Sequence, residues 1–258
     1  MSMMLPTMTA EERDAILEAV RDFAGAELAP FALERDERKE FPIECLRRAG
    51  QLGLGGICVR EDVGGSALGR FDAVAIFEEL AKGDPAIAAY ISIHNMVASM
   101  IDSYGTDSQR EEWLPGLTTM DQLGSYCLTE PGAGSDAAAI TTSAIRSGDE
   151  FVLTGVKQFI SGAGAASVYV VMARTPSTGS DERLGARGIS AFLVPADAAG
   201  LSFGPNEKKM GWNAQPTRQV IFDEVRVPAS SMLGNEGQGF AIAMSALNGG
   251  RLNIAACS

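Results

Sequence analysis

The chain has 258 residues, which allows one large domain or two smaller ones around a substantial hydrophobic core. Its formal net charge of −12 argues against nucleic acid or an anionic membrane as a partner, without excluding a local basic pocket. The four cysteines are scattered and form no C-x-x-C pair, so the sequence predicts neither a zinc site, nor any other metal site, nor a disulfide framework.

The N-terminal stretch carries no targeting signal that we can identify. Its first twelve residues have neither a basic region nor a long apolar run, unlike a secretory signal or an Arg-rich transit peptide. The most apolar later stretch, 86–101, is interrupted by His94 and Asn95 and is too short to cross a bilayer. These features predict a cytoplasmic protein that does not enter a membrane.

Helical spacing dominates residues 1–122, nearly half of the chain. Thr9 and Glu12 form a capping box ahead of apolar residues that recur three and four positions apart. Pro42 stands where a second helix can begin, and Gly53 stands where it can end. A third helix is predicted from four apolar residues at helical spacing: Phe71, Val74, Phe77 and Leu80.

Two more helices follow in this region. Asp84 and Pro85 have the chemistry of an N-cap and a first helical residue, and the helix that they start is apolar nearly all round. Asp107 is predicted to cap a fifth helix that ends near Pro115. His94, the only histidine, lies in the buried fourth helix without visible metal-ligand partners, so we interpret it as a hydrogen-bonded core residue.

The hydrophobic period changes from Tyr126 onward. Short β-branched or aromatic runs are separated by turn-forming clusters, and the clearest loops are 147–149 and 175–187. Because no helix of useful length separates the runs, an antiparallel sheet or barrel fits better than a parallel one. The predicted strands lie at 126–129, 151–153, 168–172, 189–194 and 219–222.

The sequence therefore predicts a multidomain α+β protein. An N-terminal helical domain is expected over residues 1–122 and a middle β domain over residues 123–235. Helical spacing returns in residues 236–258, which we interpret as the first helix of a C-terminal helical bundle.

One stretch in the middle domain has the chemistry of a binding site. The run that begins at Tyr126 stops at a turn, where Pro131 fixes φ and Gly132 allows a positive φ. The backbone that follows has almost no side chains and could present N–H groups to an anion such as a pyrophosphate. Phe159 then offers an aromatic plate, and Ser161 offers a hydroxyl group.

Two alternatives within this stretch are less favourable. The glycines of 162–164 could be half of a nicotinamide-binding fingerprint, but that site needs a following helix, and here another strand follows. Glu130 and Asp136 could be an acid–base pair, but they flank a tight turn, where carboxylates commonly cap backbone N–H groups. We therefore favour structural capping for both residues.

The motifs C-L-T-E-P-G-A-G-S-D-A-A-A and G-V-K-Q-F-I-S resemble those of the flavin-dependent acyl-CoA dehydrogenases, and the resemblance covers nearly the whole chain. It implies an FAD that lies across the sheet. Many relatives carry Trp and Thr at the positions of Phe159 and Ser161, and the substitutions keep an aromatic plate and a hydroxyl group. The cofactor-binding residues implied by the resemblance are Tyr126, Cys127, Leu128, Thr129, Gly132, Gly134, Ser135, Phe159, Ile160 and Ser161.

The last segment is implied to contact the substrate. Gly249 and Gly250 are unfavourable inside a helix, by about 1 kcal/mol each relative to Ala, so they indicate close approach by a ligand or another helix. The resemblance implies that Ser135 lies between the cofactor and the CoA thioester arm. It also implies acyl-CoA contacts for four consecutive residues: Asn248, Gly249, Gly250 and Arg251.

Two further motifs, Y-I-S-I-H-N-M and E-K-K-M-G-W-N-A-Q-P-T-R-Q-V-I-F, resemble the branch of this family that acts on isobutyryl-CoA in valine breakdown. The implied reaction is α,β-desaturation of a short branched acyl-CoA, by abstraction of the α-proton and transfer of the β-hydride to flavin N5. The resemblance also implies a homotetramer that passes electrons to an electron-transferring flavoprotein.

The catalytic base is the point where the sequence departs from the family. Most branches carry the catalytic glutamate in a later C-terminal region, and a few carry it immediately before the arginine that matches Arg251, where this chain has Gly250. No catalytic residue is therefore assigned, and we expect the 258-residue chain alone to be inactive. The alternatives are a non-catalytic fragment that binds flavin or acyl-CoA, and an acyl-CoA oxidase.

Overall fold

A computed structural model describes residues 9–176 and 185–258 of the chain. Two sequence-based predictions therefore fall partly outside the described residues. They are the absence of a targeting signal in the first twelve residues and the loop at 175–187. The helices are α1 (Ala10–Phe23), α2 (Ala32–Arg38), α3 (Ile43–Gln51), α4 (Arg70–Gly83), α5 (Pro85–Tyr104), α6 (Asp107–Thr118) and α7 (Gly239–Ala256). The strands are β1 (Gly124–Cys127), β2 (Ser143–Ser147), β3 (Glu150–Ser161), β4 (Val168–Arg174), β5 (Ile189–Pro195), β6 (Leu201–Phe203), β7 (Thr217–Pro228) and β8 (Met232–Leu233).

Local capping chemistry sets the ends of two helices as predicted. At the start of α1, the Thr9 side chain accepts from the Glu12 N–H, while the Glu12 carboxylate accepts from the Thr9 N–H at 2.8 Å. At the start of α5, the buried Asp84 carboxylate accepts from the Ala86 N–H at 2.9 Å. Both predicted N-termini are confirmed.

Helix α6 differs from its prediction at both ends. Its N-cap is Thr106 rather than Asp107, because Thr106 accepts from the Gln109 N–H and the Gln109 side chain accepts from the Thr106 N–H. The predicted end near Pro115 is also wrong. The helix continues to Thr118 because its last turn buries Leu117 completely.

The predicted apolar face of α4 is partly wrong. Phe71 is 72% exposed and lies beneath the Arg13 guanidinium, whose central carbon is 5.1 Å from the ring centroid. The buried face instead runs through Ala73, Ile76 and Phe77, which pack under α5. The short helix α2 was not predicted, because its only buried residue is Arg35 and it has no apolar stripe.

The strands form one eight-stranded sheet in the order β6-β7-β3-β2-β4-β5-β8, and β1 pairs with β4 outside this path. Most pairs are antiparallel, as predicted, but β1 and β4 run parallel over four residue pairs, and β2 and β4 pair in parallel at Ser143 and Arg174. The predicted antiparallel pairing is therefore wrong for β1. The β2–β3 hairpin separates β1 from β4 in the sequence. A connection of that length allows parallel pairing.

Strand β3 contains a bulge near its C-terminal end. Lys157 pairs with Val220 and Ile160 pairs with Arg218, so two residues of β3 oppose one residue of β7. The extra residue turns the strand locally and changes the direction of the side chains that follow. Phe159 lies in this bulge.

Helix α5 is the central element that brings the helices onto the sheet. One of its sides packs with α1, α3 and α4 against one face of the sheet, through Tyr90 and neighbouring residues. Its other side packs with α6 and α7 against residues of the opposite sheet face, through Val97 and neighbouring residues. Because α5 is covered on both sides, the prediction of a buried helix is confirmed. In the described residues, no helix is long and apolar enough to cross a membrane.

His94 joins α5 to the first strand. Its Nε2–H donates to the Leu117 carbonyl at 2.8 Å, and its Nδ1 accepts from the Gly124 N–H at 3.1 Å. Complete burial lowers its pKa to about 4, so the ring is neutral at physiological pH. The interpretation of His94 as a hydrogen-bonded core residue is confirmed.

Candidate functional site

A pocket of ≈160 Å³ lies where β1 and β3 end against helices α5 and α7. Six of the ten sequence-predicted cofactor residues line it. The helices contribute apolar side chains to the opposite wall. The lining residues are Ile93, Met96, Tyr126, Leu128, Thr129, Phe159, Ile160, Ser161 and Leu247.

Phe159 is held at the edge of this pocket against its backbone preference. Its φ is +60°, in the left-handed region that L-residues avoid, and its side chain is 60% exposed. The neighbouring Gln158 N–H donates to the Thr129 carbonyl at 2.8 Å, which ties the β3 bulge to the end of β1. Backbone strain maintained under an exposed aromatic ring is a feature of binding sites.

Tyr126, which lines the pocket, carries a buried hydroxyl group without a partner in the described part of the chain. Tyr126 is only 9% exposed, and its Oη makes no hydrogen bond to any described residue. Burial raises the pKa of Tyr126, so the phenol keeps its proton at neutral pH. Such a group is expected to find a partner in a ligand or an ordered water.

The glycine-rich loop after β1 is open on the side of its glycines. A Cβ placed on Gly132 or Gly134 would contact nothing within 4 Å, and Ser135 beside them is exposed. Neither glycine has a positive φ, so the turn does not use the positive φ that Gly132 allows. The glycines instead leave space in front of the loop backbone, which suits the approach of a ligand.

Glu130 has the structural role that the turn predicts. Its carboxylate accepts from the Thr141 N–H at 2.6 Å and from the Thr142 N–H at 2.9 Å. Asp136, by contrast, is exposed and makes no side-chain cap, so capping is confirmed for Glu130 and wrong for Asp136. The two carboxylates are not an acid–base pair.

Sequence reasoning missed the partner of Glu130. The ammonium of Lys157 is completely buried and donates to Glu130 Oε1 at 2.8 Å. Burial by itself would raise the pKa of Glu130, but this ammonium and the other donors lower it to about 2. Burial lowers the pKa of Lys157. The signal in the sequence is the period of β3, which gives Lys157 the same inward position as Phe151 and Leu153.

Several predicted site residues lie elsewhere. The buried side chain of Cys127 packs in the core on the other face of β1, so only its backbone can face the pocket. Asn248 and Arg251 are exposed on α7 and do not line it. Their contacts with acyl-CoA stay a prediction.

The paired glycines of α7 allow two close approaches between helices. A Cβ on Gly249 would lie 2.5 Å from Arg70 Cζ, and one on Gly250 would lie 3.2 Å from Met96 Sδ. The indication of close approach is therefore confirmed for helix packing. Met96 and Gly250 also line a second cavity of ≈50 Å³, the α5–α7 crevice, whose polar lining includes Ser99 and Asn253.

The pocket's chemistry suits binding better than proton transfer. Its described lining is aromatic, aliphatic and hydroxylic, without a carboxylate or an imidazole. No cluster of three or more potential metal ligands occurs among the residues that the structure describes. The pocket can hold a flat, apolar group and offer hydroxyl groups to it.

Comparison with known proteins gives matches over most of the chain. Residues 10–121 match the family model "Acyl-CoA dehydrogenase, N-terminal domain", and residues 125–225 match "Acyl-CoA dehydrogenase, middle domain". The mitochondrial isobutyryl-CoA dehydrogenase of Dictyostelium discoideum is 52% identical over 248 residues, and that of Bos taurus is 50% identical over 249 residues. Each alignment covers 96% of this chain but 58% of the relative, so the chain spans less than two thirds of their length.

Solved structures give the same match. A chain in a structure of the electron transferring flavoprotein of Acidaminococcus fermentans has a TM-score of 0.90 and 35% identity, over 98% of this chain and 66% of its own length. A glutaryl-CoA dehydrogenase of Mycobacterium smegmatis in complex with FADH2 has a TM-score of 0.86 and 30% identity, over 95% and 60%.

These comparisons correct the predicted location. Both isobutyryl-CoA dehydrogenases above are mitochondrial proteins, which contradicts the cytoplasmic prediction. That prediction was drawn from the first residues of the sequence, and residues 1–8 lie outside the described part of the structure. A short N-terminal stretch says nothing about a leader when the boundaries of the protein are not established.

The resemblance drawn from the two motifs is confirmed over both matched regions. The predicted order of helical domain, β-sheet domain and final helix is confirmed as well, whereas the domain boundaries at 122/123 and 235/236 stay predictions. The chain therefore belongs to the acyl-CoA dehydrogenase family.

Proposed function

We propose that this chain forms the cofactor and acyl pocket of an FAD-dependent dehydrogenase that desaturates a short branched acyl-CoA, with isobutyryl-CoA as substrate. The observation that carries the proposal is the pocket itself. There the end of β1 and the β3 bulge, with the exposed ring of Phe159, face the apolar side chains of α5 and α7.

The pocket and the glycine-rich loop that follows Thr129 have three features that suit a flavin. Phe159 presents an exposed ring, which can lie against a flat aromatic system. Tyr126 Oη has no partner among the described residues, and Gly132 and Gly134 leave open space where a Cβ would stand. The residues that would hold FAD are Tyr126, Cys127, Leu128, Thr129, Gly132, Gly134, Ser135, Phe159, Ile160 and Ser161, with Cys127 contributing its backbone only.

Bound FAD supplies the acceptor for the hydride that leaves the substrate's β-carbon. The chain's own residues would bind and orient the reacting groups. The hydroxyl groups of Thr129 and Ser161, which line the pocket, can hydrogen-bond to polar ligand atoms. Ile93, Met96 and Leu247 would enclose the acyl group and keep water from it.

The substrate assignment is supported by the relatives and by the apolar side chains of Ile93, Met96 and Leu247, which suit an acyl group. The two relatives near 50% identity are isobutyryl-CoA dehydrogenases. The sequence motifs imply the same substrate, which arises in valine breakdown. Acyl-CoA contacts from Ser135, Asn248, Gly249, Gly250 and Arg251 belong to the same proposal.

Removal of the α-proton requires a base that the described pocket does not contain. An α-C–H is a weak acid, so a positioned carboxylate is needed. Gly250, at one position where the family can carry this carboxylate, has no side chain and lines the α5–α7 crevice. Inactivity of the 258-residue chain on its own stays a prediction.

The proposal includes the partners implied by the family. The electron acceptor would be an electron-transferring flavoprotein, which the similarity to a chain in the Acidaminococcus fermentans structure supports. The full-length protein would be a homotetramer. Neither an oxidase nor a binding module without catalysis is favoured by a particular contact in this pocket.

Anaerobic titration with isobutyryl-CoA tests the proposal in the full-length, flavin-loaded protein. The flavin absorbance should bleach faster with isobutyryl-CoA than with butyryl-CoA or isovaleryl-CoA. A folded, colourless protein would contradict the flavin assignment, and a preference for butyryl-CoA would contradict the substrate. Rapid recovery of colour in oxygen alone would identify an oxidase.

A further inference from the structure

The strongest feature outside the pocket lining is the buried ion pair behind it. Lys157 has no exposed surface, and Glu130 is 5% exposed. The Lys157 ammonium donates to Glu130 Oε1 at 2.8 Å and to the Leu128 carbonyl at 3.0 Å. Placing an ammonium in a protein interior has a large desolvation cost, which these contacts must offset.

These contacts join β1 and β3, whose ends form one side of the pocket, the sheet wall. Leu128 lines the pocket at the end of β1, and Lys157 precedes the β3 bulge that carries Phe159. The hydrogen bond from the Gln158 N–H to the Thr129 carbonyl, at 2.8 Å, lies beside them. Hydrogen bonds from the consecutive residues Lys157 and Gln158 therefore set the spacing between β3 and the end of β1.

The same carboxylate also fixes the glycine-rich loop. Besides Lys157, Glu130 accepts from the Thr141 N–H and the Thr141 hydroxyl at 2.6 and 2.9 Å, and from the Thr142 N–H at 2.9 Å. These bonds close the loop that carries Gly132 and Gly134. A shift of Lys157 would thus move both the loop and the bulge.

Stability alone does not account for this arrangement. A buried ion pair often contributes no more to folding than well-packed apolar residues of similar volume, although removal of one partner is costly. Lys157 does not line the pocket, so it cannot act on a ligand by direct contact. Its contacts are with the Leu128 carbonyl and the Glu130 carboxylate, and the bulge follows it directly in β3.

We propose that Lys157 and Glu130 are positioning residues that set the distance between the β1 end and the β3 bulge, and so shape the cofactor pocket for FAD. The inference rests on the proposed function, because FAD is the ligand whose binding the spacing would control. It assigns these two residues no contact with the reacting atoms.

Three variants separate positioning from stability: Lys157→Met, Glu130→Gln, and the two combined. Each single change leaves a buried charge without its partner, so the single variants are expected to unfold more easily. The double variant removes both charges and should recover much of that loss, yet it still lacks the donor to the Leu128 carbonyl. The matched control is Arg226→Met with Glu150→Gln, an exposed pair at 3.2 Å that joins β3 to β7.

The experiment uses the full-length protein, stripped of FAD and then titrated with FAD. The double variant should bind FAD at least about tenfold more weakly than wild type and show a shifted flavin spectrum, whereas the control should match wild type. Without FAD, the Gln158 amide should exchange its hydrogen faster in the double variant, by at least about tenfold. That second readout is independent of the cofactor.

The outcomes distinguish the two proposals. A double variant with wild-type FAD affinity, spectrum and Gln158 exchange would overturn the positioning role. A wild-type protein that binds no FAD would contradict the proposed function, and the inference about FAD would fail with it. Fast Gln158 exchange in such a colourless protein would still show that the pair holds the two strands together.

Discussion

The pocket has a sheet wall, formed by the ends of β1 and β3, and a helical wall, formed by α5 and α7. The two walls are held in place by different interactions. On the sheet wall, hydrogen bonds between main-chain groups and the Lys157–Glu130 pair fix each strand relative to the next. On the helical wall, Ile93, Met96 and Leu247 are placed by apolar packing of α5 against α7. The sheet wall is therefore set by directional hydrogen bonds, and the helical wall by apolar packing without fixed directions. Under the proposed function, we expect the first to suit a rigid cofactor and the second to adapt to the acyl group.

Met96 shows how thin the helical wall is. It lines both the pocket and the α5–α7 crevice, and is 6% exposed. A flexible thioether side chain can adapt to the shape of its neighbours more easily than a branched one. On the sheet wall, by contrast, Phe159 is held in a backbone conformation that it does not prefer.

The largest effect is expected at Gly162, in the turn after the sheet wall. Its φ is +78°, and an added Cβ would collide with the Tyr90 ring and lie 2.7 Å from Ser125 Oγ. Gly162→Ala should lower the free energy of unfolding by about 3 kcal/mol, measured by urea denaturation. Gly148→Ala is the control, because Gly148 has a φ of +65° with nothing within 4 Å and should cost about 1 kcal/mol. Equal losses would contradict a rigid, crowded sheet wall.

Met96→Ala tests whether the helical wall is adaptable. The loss of buried side-chain volume should cost about 2–3 kcal/mol in the free energy of unfolding. It should also connect the pocket to the α5–α7 crevice, so hexanoyl-CoA should gain on isobutyryl-CoA as a flavin reductant in the full-length protein. Met96→Leu, which nearly conserves volume, should cost less than about 1.5 kcal/mol. An unchanged ratio of reduction rates in Met96→Ala would show that Met96 does not limit the acyl group.

The pH dependence of stability tests the role of His94, which joins helix α5 to strand β1. Its pKa in the folded protein, about 4, is below its ordinary value of 6.5, so the unfolded chain takes up the proton first as pH falls. Stability from this group is present above pH 6.5 and is lost towards pH 4, by about 2 kcal/mol at pH 5. Denaturation at several pH values measures it, and His94→Gln should flatten the slope between pH 6.5 and 5. An equal slope in the variant would place the effect elsewhere.

Phe159→Gly tests the strain on the sheet wall and has the smallest expected effect on stability. Glycine accepts a φ of +60°, and the lost ring is 60% exposed, so the protein without FAD should gain about 1 kcal/mol in the free energy of unfolding relative to Phe159→Ala. Both variants should bind FAD more weakly than wild type, because both lack the aromatic plate. Thermal unfolding and an FAD titration measure the two effects. If FAD affinity were unchanged, the ring would have no part in cofactor binding.

Local chemistry allowed much of the helical part to be predicted. The Thr9 capping box and the Asp84–Pro85 start carry their signals within a few residues, and both helices begin where predicted. The error at α6 came from a competing signal, since Asp107 and Thr106 can both cap and only the bond to Gln109 decides between them. Tertiary burial of Leu117 then carried the helix past Pro115.

The family resemblance grouped Tyr126, Thr129, Phe159 and Ser161 in one site, and all four line the same pocket. Their role in cofactor binding stays a prediction, and the geometry of the pocket was not predictable. The bulge at Phe159 depends on the register between β3 and β7, which are far apart in sequence. The parallel pairing of β1 and the burial of Lys157 also depend on contacts between distant segments.

The most direct test of the account is the absorbance spectrum of the full-length protein, wild type beside Phe159→Ala, before and after isobutyryl-CoA is added without oxygen. We expect the wild type to be yellow and to bleach, and the variant to fold but to lose FAD during gel filtration. A wild type that folds without colour, or a variant that retains FAD as tightly as the wild type, would contradict the claim that β1 and the β3 bulge hold the cofactor.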